Sequence, residues 1–189
     1  MLIAETFRVT LRQHSGIYTQ RMHDRHQYEV SIEWQGNRGT GTSGYRSYGR
    51  QLELRAAGKS PIAGSADRTF HGDADRWNPE ELLVAALAQC HMLSYLHMAV
   101  RAGVVVTAYC DDAVGWMRQE GLGGAFTEVT LRPVVTVTDI AMVDRALAAH
   151  AEAHEYCFIA NSVNFPVRID PLVQVAGTAE PGPANQPRM

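Results

Sequence analysis

Residues 78–103 constrain the fold of this chain more than any other stretch. Asn78 can cap a helix, Pro79 suits the first helical position, and Glu81 can complete a capping box. Gly103 supplies a stop signal at the other end. Apolar residues cover nearly the whole circumference between these ends, so we expect a long helix that protein surrounds on most sides. Cys90 lies at its middle.

A helix of this length could also cross a membrane. Gln89, His91, Ser94 and His97 would then place polar groups deep in the bilayer, where they are costly, and no second span accompanies it. The N-terminus shows no signal-peptide pattern. We therefore predict a cytoplasmic protein with no membrane partner.

The composition sets further limits. A chain of 189 residues, 46% of them hydrophobic, is long enough for one domain with a sizeable core. The net charge of −3 offers no basic surface for nucleic acid. The three cysteines, Cys90, Cys110 and Cys157, are an odd number without dense spacing, which argues against a disulfide scaffold. Cys110 is interpreted as a structural strand residue.

Periodicity predicts three strands, the long helix, two strands, a second helix and a last strand. Because strands and helices do not alternate one for one, the class is α+β. The expected strands lie near residues 28–34, 41–48, 51–55, 104–116, 126–137 and 164–170, and the second helix near 140–156. We expect an N-terminal extension over 1–25, a single domain over 26–175 and a disordered tail over 176–189. A helix apolar on all sides needs more cover than one small sheet offers, so a two-fold partner helix and hence a homodimer are predicted.

A metal site is one interpretation of the polar residues near the second helix. His150, His154 and Cys157 fall on one helical face and are residue types that zinc accepts. A fourth ligand would have to come from elsewhere, and no pair of cysteines at metal-binding spacing accompanies them. No metal is therefore the preferred expectation.

A cysteine–histidine hydrolase is a second interpretation, with Cys90 as nucleophile and His91, His97 or His154 as base. His91 points about 100° away from Cys90 on a helix, and His97 lies two turns on. A nucleophile in mid-helix also lacks the helix N-terminus that often lowers a thiol pKa.

A dithiol redox site is the third interpretation. Cys90 would attack an oxidant and Cys157 would resolve the product as a disulfide. Spacing alone does not prove that the two approach each other, and composition alone favours inert core cysteines.

Three motifs carry a resemblance to a known family. They are HQYEVSIEWQGNRGTGTSGY at residues 26–45, NPEELLVAALAQCHM at 78–92 and AHEYCFIANSVNFPVRID at 153–170. Together they resemble the OsmC/Ohr family, the osmotically inducible and organic-hydroperoxide-resistance proteins. The resemblance implies the OsmC-like fold, with antiparallel sheets packed around a long central helix in an intertwined homodimer.

The resemblance also implies a function: thiol-dependent reduction of organic hydroperoxides as an antioxidant response to oxidative stress. Cys90 matches the family's peroxidatic cysteine, Cys157 its resolving cysteine and Glu80 its catalytic glutamate. No cofactor is expected beyond an external dithiol reductant, of which a lipoyl protein is one kind. The alternative is a non-enzymatic dimer of the same fold that senses redox state or binds a small molecule.

The family also uses an arginine that pairs with this glutamate and helps to hold the thiolate. Arg50 is the first choice here, followed by Arg68 and Arg76. Such an arginine near Cys90 would depress the pKa of its thiol. Ten helical residues separate Glu80 from Cys90 by about 15 Å, so either the arginine bridges them or the partner's helix brings its own glutamate. A site at the dimer interface is therefore predicted.

Overall fold

The computed structural model describes residues 25–177. The predicted extension and tail lie almost wholly outside this range. The described chain divides into two compact units, 25–76 and 77–177. Two compact units can belong to one folding domain, so the single domain over 26–175 stays a prediction.

The first unit contains three strands and a 3-10 turn. These are β1 (Ser31–Trp34), β2 (Leu52–Arg55), β3 (Ile62–Gly64) and the turn Arg68–Phe70. The second unit contains two α-helices, α1 (Pro79–Arg101) and α2 (Val143–Glu155). Its six strands are β4 (Val106–Asp111), β5 (Val114–Glu120), β6 (Gly123–Leu131), β7 (Pro133–Val137), β8 (Val167–Ile169) and β9 (Leu172–Val175).

In the first unit, β1 and β3 both pair antiparallel with β2. The predicted strand at 41–48 is wrong, because this segment forms turns and bends. Gly39 and Gly41 adopt positive φ angles of 101° and 56°, and their N–H groups donate to the Asn37 side chain. This local bonding replaces a strand ladder, so β1 finds its partner beyond the loop in β2.

Helix α1 begins and ends as its sequence predicts. The Asn78 side chain accepts from Glu81 N at 2.7 Å, and the Glu81 carboxylate accepts from Asn78 N, which completes the capping box. At the other end Gly103 has a φ of 66°, and Val104 N donates to Ala99 O at 2.8 Å. That bond is typical of a glycine-terminated helix. Within residues 25–177, α1 is the one helix long and apolar enough to cross a membrane, a test that core helices of soluble proteins also pass.

The predicted strands at 104–116 and 126–137 are each divided in two. They form one long hairpin around Gly121, whose φ is 62°. The hairpin changes sheet where the Asp111 side chain accepts from Arg132 N at 2.7 Å. Strands β4 and β7 belong to one sheet with β9, and β5 and β6 belong to another with β8. The β7–β9 and β6–β8 pairs are parallel, and β9 was not predicted.

Two apolar clusters lie against α1. Its C-terminal half packs Tyr95, Met98 and Ala99 with β7 and the alanines of α2. Its N-terminal half packs Leu87 against Val129 and Leu131 of β6. The predicted α+β class is thus confirmed, with the long helix as the element that both clusters share.

Candidate active site

The three cysteines occupy different settings, and all are free thiols. Cys90 is half-buried in the middle of α1. Cys157 directly follows the last turn of α2 and is 1% exposed. The Cys90 thiol lies close enough to Cys157 to raise its pKa, so the structure brings together the two cysteines of the dithiol hypothesis. Cys110 lies exposed on β4, with its sulfur 3.9 Å from Val134 O.

The surroundings of Cys157 keep it protonated. Burial raises the pKa of this thiol, and the neighbouring Cys90 thiol raises it further. The nearby backbone N–H groups of Ala160 and Ile159 lower the pKa and offset part of the effect. Because a thiol is a much weaker nucleophile than a thiolate, Cys157 is poorly suited to attack an oxidant first at neutral pH.

A buried pair of imidazoles joins α1 to α2 beside these thiols. His91 Nε2 lies 3.0 Å from His150 Nδ1, and the two side chains are 1% and 3% exposed. The Tyr95 ring stacks on His150 with centroids 4.0 Å apart. Burial lowers the pKa of both histidines to about 4, with smaller contributions from His154 on His91 and from His91 on His150. Both rings are therefore neutral at pH 7.

This pairing bears on the metal and hydrolase interpretations. Within residues 25–177, no group of three or more His, Cys, Asp or Glu side chains is arranged to hold a metal ion. His150, one of the three candidate ligands, bonds to His91. His91, the histidine next to Cys90, has its Nε2 engaged in the same bond. The sequence showed each histidine but gave no sign that the two meet, because 59 positions separate them.

A cavity of about 590 Å³ lies along the N-terminal half of α1. Its walls are mostly apolar, and its acidic members are Glu80, Glu81 and Asp111. One carboxylate oxygen of Glu80 and one of Asp111 are buried without a hydrogen-bond partner among the described residues. Burial raises the pKa of Asp111, a residue that the sequence interpretation did not single out. Its sequence signal was only a carboxylate at the end of a predicted strand.

Glu80 and Cys90 do not meet within one chain. Because α1 is uninterrupted from Pro79 to Arg101, about 15 Å along its axis separates the two residues. The structure thus places Glu80 in a cavity and Cys90 against Cys157, and their joint role stays a prediction.

Arg50 belongs to the first unit, where its side chain is held by its neighbours. Its guanidinium donates to Tyr48 O at 2.8 Å and to Tyr45 O at 2.9 Å. It also lies over both tyrosine rings, 4.2 Å and 4.7 Å from their centroids. Of the other two candidates, Arg76 donates to Leu52 O at 3.4 Å and Arg68 begins the 3-10 turn. The role of Arg50 toward Cys90 stays a prediction.

Arg50 also lines a second cavity, of about 410 Å³, within the first unit. Arg38, Arg46, Tyr48 and His71 complete its lining, so the cavity is basic. The sequence interpretation did not single out Arg38, Arg46 or His71, because nothing local distinguishes them from solvated surface residues.

Solved structures similar to this chain share its fold. An OsmC-like protein of unknown function from Vibrio cholerae is 30% identical, over 78% of this chain and 100% of that one, with a TM-score of 0.71. An organic hydroperoxide resistance protein from Elizabethkingia anophelis is 17% identical, over 80% and 99% of the two chains, with a TM-score of 0.57. The organic hydroperoxide resistance protein OhrB of Bacillus subtilis is 16% identical, over 79% and 98%, with a TM-score of 0.53. At such identities the last two likenesses show the fold alone.

The curated proteins compared with this chain include no match. The family model described as OsmC-like protein matches residues 72–171, which is more than half of the chain. This range contains α1 with Cys90, the strands β4 to β8, and α2 with Cys157. The OsmC-like fold of the single chain and the family predicted from the sequence motifs are confirmed, whereas the homodimer stays a prediction. The chain belongs to the family of OsmC-like proteins.

Proposed function

We propose that this protein is a thiol-dependent peroxidase that reduces organic hydroperoxides, with Cys90 as the attacking thiol and Cys157 as the resolving thiol. The observation that carries the proposal is the proximity of the two thiols, which are close enough for Cys90 to raise the pKa of Cys157. Solved structures of the same fold include organic hydroperoxide resistance proteins, which agrees with this substrate class.

The reaction proceeds in three steps: oxidation of Cys90, formation of the disulfide and its reduction. The Cys90 thiolate attacks one peroxide oxygen, the O–O bond breaks, the alcohol leaves with a proton, and Cys90 becomes a sulfenic acid. The Cys157 thiol then displaces water from that sulfenic acid to form the disulfide. An external dithiol reduces the disulfide by exchange and is itself oxidised.

The different surroundings of the two thiols support this division of labour. Cys90 is half-buried, whereas Cys157 is buried and its raised pKa keeps it protonated. A buried, protonated thiol reacts slowly with peroxide, so Cys157 remains available to react with the sulfenic acid on Cys90. The contact between them favours disulfide formation over further oxidation of Cys90.

Glu80 and Arg50 complete the proposed site through a homodimer. Leu93 and Val100 on the exposed face of α1 are 56% and 77% exposed, which supports a partner helix there. An arginine paired with Glu80 would stabilise the Cys90 thiolate. The dithiol reductant, of which a lipoyl protein is one kind, is the one further reactant, and the proposed compartment is the cytoplasm.

Intact mass after one equivalent of tert-butyl hydroperoxide tests the proposal. Wild-type protein is expected to gain the Cys90–Cys157 disulfide, and the Cys157→Ser variant a sulfenic acid or higher oxide. Cys110→Ser is the matched control and is expected to behave as wild type, because Cys110 lies apart on β4. The peroxidase proposal would be wrong if the wild-type mass is unchanged and the protein does not turn over cumene hydroperoxide with dithiols.

A second candidate function is a non-enzymatic dimer of this fold that binds a small molecule. The cavity beside Glu80 favours it, since its size and apolar walls suit a small organic ligand. Turnover of hydroperoxide by the purified protein decides between the two candidates, because a binding protein consumes no peroxide beyond its own thiols.

A further inference from the structure

The buried imidazole pair is polar where the rest of the interface between α1 and α2 is apolar. Tyr95, Met98 and Ala99 of α1 and three alanines of α2 form the surrounding cluster. Within it, the two histidines meet at 3.0 Å. Burying two imidazoles costs free energy that apolar side chains of similar volume would not. A directional contact is what the pair provides in return.

The two histidines lie on the same two helices that lead to the cysteines, so their contact bears on the separation of Cys90 and Cys157. His91 directly follows Cys90 on α1, and His150 lies seven residues before Cys157 on α2. A hydrogen bond between them restricts both the rotation of α1 about its axis and its sliding along α2. Because Cys90 lies on α1 and Cys157 directly follows the C-cap of α2, the bond restricts their separation as well.

The groups facing the pair hold it in one arrangement. Tyr95 of α1 stacks on His150, and Tyr109 of β4 lies 5.8 Å from Tyr95 between ring centroids. His154 of α2 lies close enough to lower the pKa of His91. Among the described residues His91 Nδ1 and His150 Nε2 have no hydrogen-bond partner, so the bond between the rings is the polar contact that orients them.

We propose that the hydrogen bond between His91 and His150 is a positioning device that sets the two thiols at disulfide-forming distance. The proposal deepens the proposed peroxidase, since it concerns the step in which Cys157 resolves oxidised Cys90. The two histidines act through the helices that carry the cysteines, so they are positioning residues.

The equilibrium between the dithiol and the disulfide tests the positioning directly. Purified full-length variants are equilibrated in glutathione redox buffers, and the Cys90–Cys157 disulfide is quantified by mass spectrometry. Peroxide is absent from this experiment, so its result is independent of whether the protein is a peroxidase. Circular dichroism establishes that each variant is folded.

Replacement of His91 by leucine is expected to lower the equilibrium constant for disulfide formation about tenfold, a size typical of coupling between contacting residues. His150→Leu, which breaks the bond from α2, should have a similar effect and serves if His91→Leu does not fold. His91→Gln keeps a polar nitrogen near the position of Nε2 and should restore the constant to within about threefold of wild type. Gln119→Leu, at an exposed position of β5, is the control and should leave it unchanged.

Two results would overturn the proposal. The first is that His91→Leu and His150→Leu both fold and both form the Cys90–Cys157 disulfide with the equilibrium constant of wild type. The second is that His91→Gln folds but its equilibrium constant falls as far as that of His91→Leu. The volume and burial of the side chain, rather than its hydrogen bond, would then set the equilibrium constant. If wild type is inert to peroxide but these shifts are found, the positioning stands and the peroxidase proposal fails alone.

Discussion

The two faces of α1 differ in what covers them although both are largely apolar. One face is buried by α2 and the sheets and carries Leu87, His91, Tyr95, Met98 and Ala99. The other face is exposed and carries Ala85, Gln89, Leu93, His97 and Val100. The buried face contains the histidine that bonds to His150 of α2, whereas the exposed face presents Leu93 and Val100, which residues 25–177 leave 56% and 77% exposed.

The difference separates two causes of one sequence pattern. A helix apolar on all sides indicates cover on all sides, but it does not say which cover comes from the same chain. Within the described part of the chain, five of the 23 residues of α1 are buried. The exposed face is therefore the part of the helix that the proposed homodimer would cover.

The largest contrast between the faces is expected at Tyr95 and Leu93. Tyr95 is 0% exposed, so Tyr95→Ala leaves a cavity and should reduce the free energy of unfolding by about 3–5 kcal/mol. Leu93→Ala, two positions away, should cost less than about 1 kcal/mol at protein concentrations that favour a monomer. Urea unfolding measures both. Equal losses would contradict the division into two faces.

Acid should destabilise the protein through the buried face. The pKa of His91 and His150 is about 4 in the folded state, below the usual value of 6.5 for the unfolded chain. Unfolded protein binds more protons between these values, so the free energy of unfolding falls as pH falls from 6.5 to 4. One such imidazole accounts for a loss of about 3 kcal/mol in the free energy of unfolding over this pH range.

Urea unfolding at pH 7, 5 and 4 measures this loss. His91→Gln removes one of the two titrating rings and should show a shallower decline, and Gln119→Leu at an exposed position of β5 should follow wild type. A decline of the same size in His91→Gln would show that other groups cause the acid sensitivity.

The exposed face should respond in assembly rather than in folding. Leu93→Glu places a charge at a side chain that is 56% exposed, and should weaken the proposed homodimer at least tenfold, or about 1.4 kcal/mol. Analytical ultracentrifugation measures the dissociation constant, and Gln119→Glu on β5 is a matched surface control. If Leu93→Glu assembles as wild type does, the exposed face of α1 is not part of the interface.

The smallest effect is expected at the helix start, which serves both faces alike. Asn78→Ala removes the side-chain acceptor of the Glu81 N–H and should lower the free energy of unfolding by about 1 kcal/mol. Asn78→Asp retains the acceptor and should remain close to wild type. Thermal unfolding measures the difference, and an unchanged midpoint in Asn78→Ala would show that the cap is dispensable.

Several elements could be predicted because their signals are local. The ends of α1 depend on Asn78, Glu81 and Gly103, which bond to backbone groups a few positions away. The second helix follows Asp139, whose side chain accepts from Ala141 N at 2.8 Å in the 3-10 turn before α2. The placement of Cys90 in mid-helix and of Cys157 at a helix end followed from these two elements.

Strand partners could not be predicted in the same way. Alternation marked the strand at 28–34, of which Ser31–Trp34 is found, but not that it pairs with β2 beyond the loop. The sequence predicted one strand near 104–116 and one near 126–137, and it did not show that each divides between two sheets at the contact of Asp111 with Arg132 N. Each of these outcomes joins residues far apart in sequence, where periodicity carries no information.

The sequence by itself determined the α+β class, the long central helix and, through its motifs, the family. Only the tertiary structure decided that Cys157 lies beside Cys90, that Asp111 lies in the cavity with Glu80, and that His91 meets His150. The physical reason is the range of the interactions involved. Capping and amphipathic spacing act within a few turns of one helix, whereas these contacts exist only after α1, α2 and the sheets have packed.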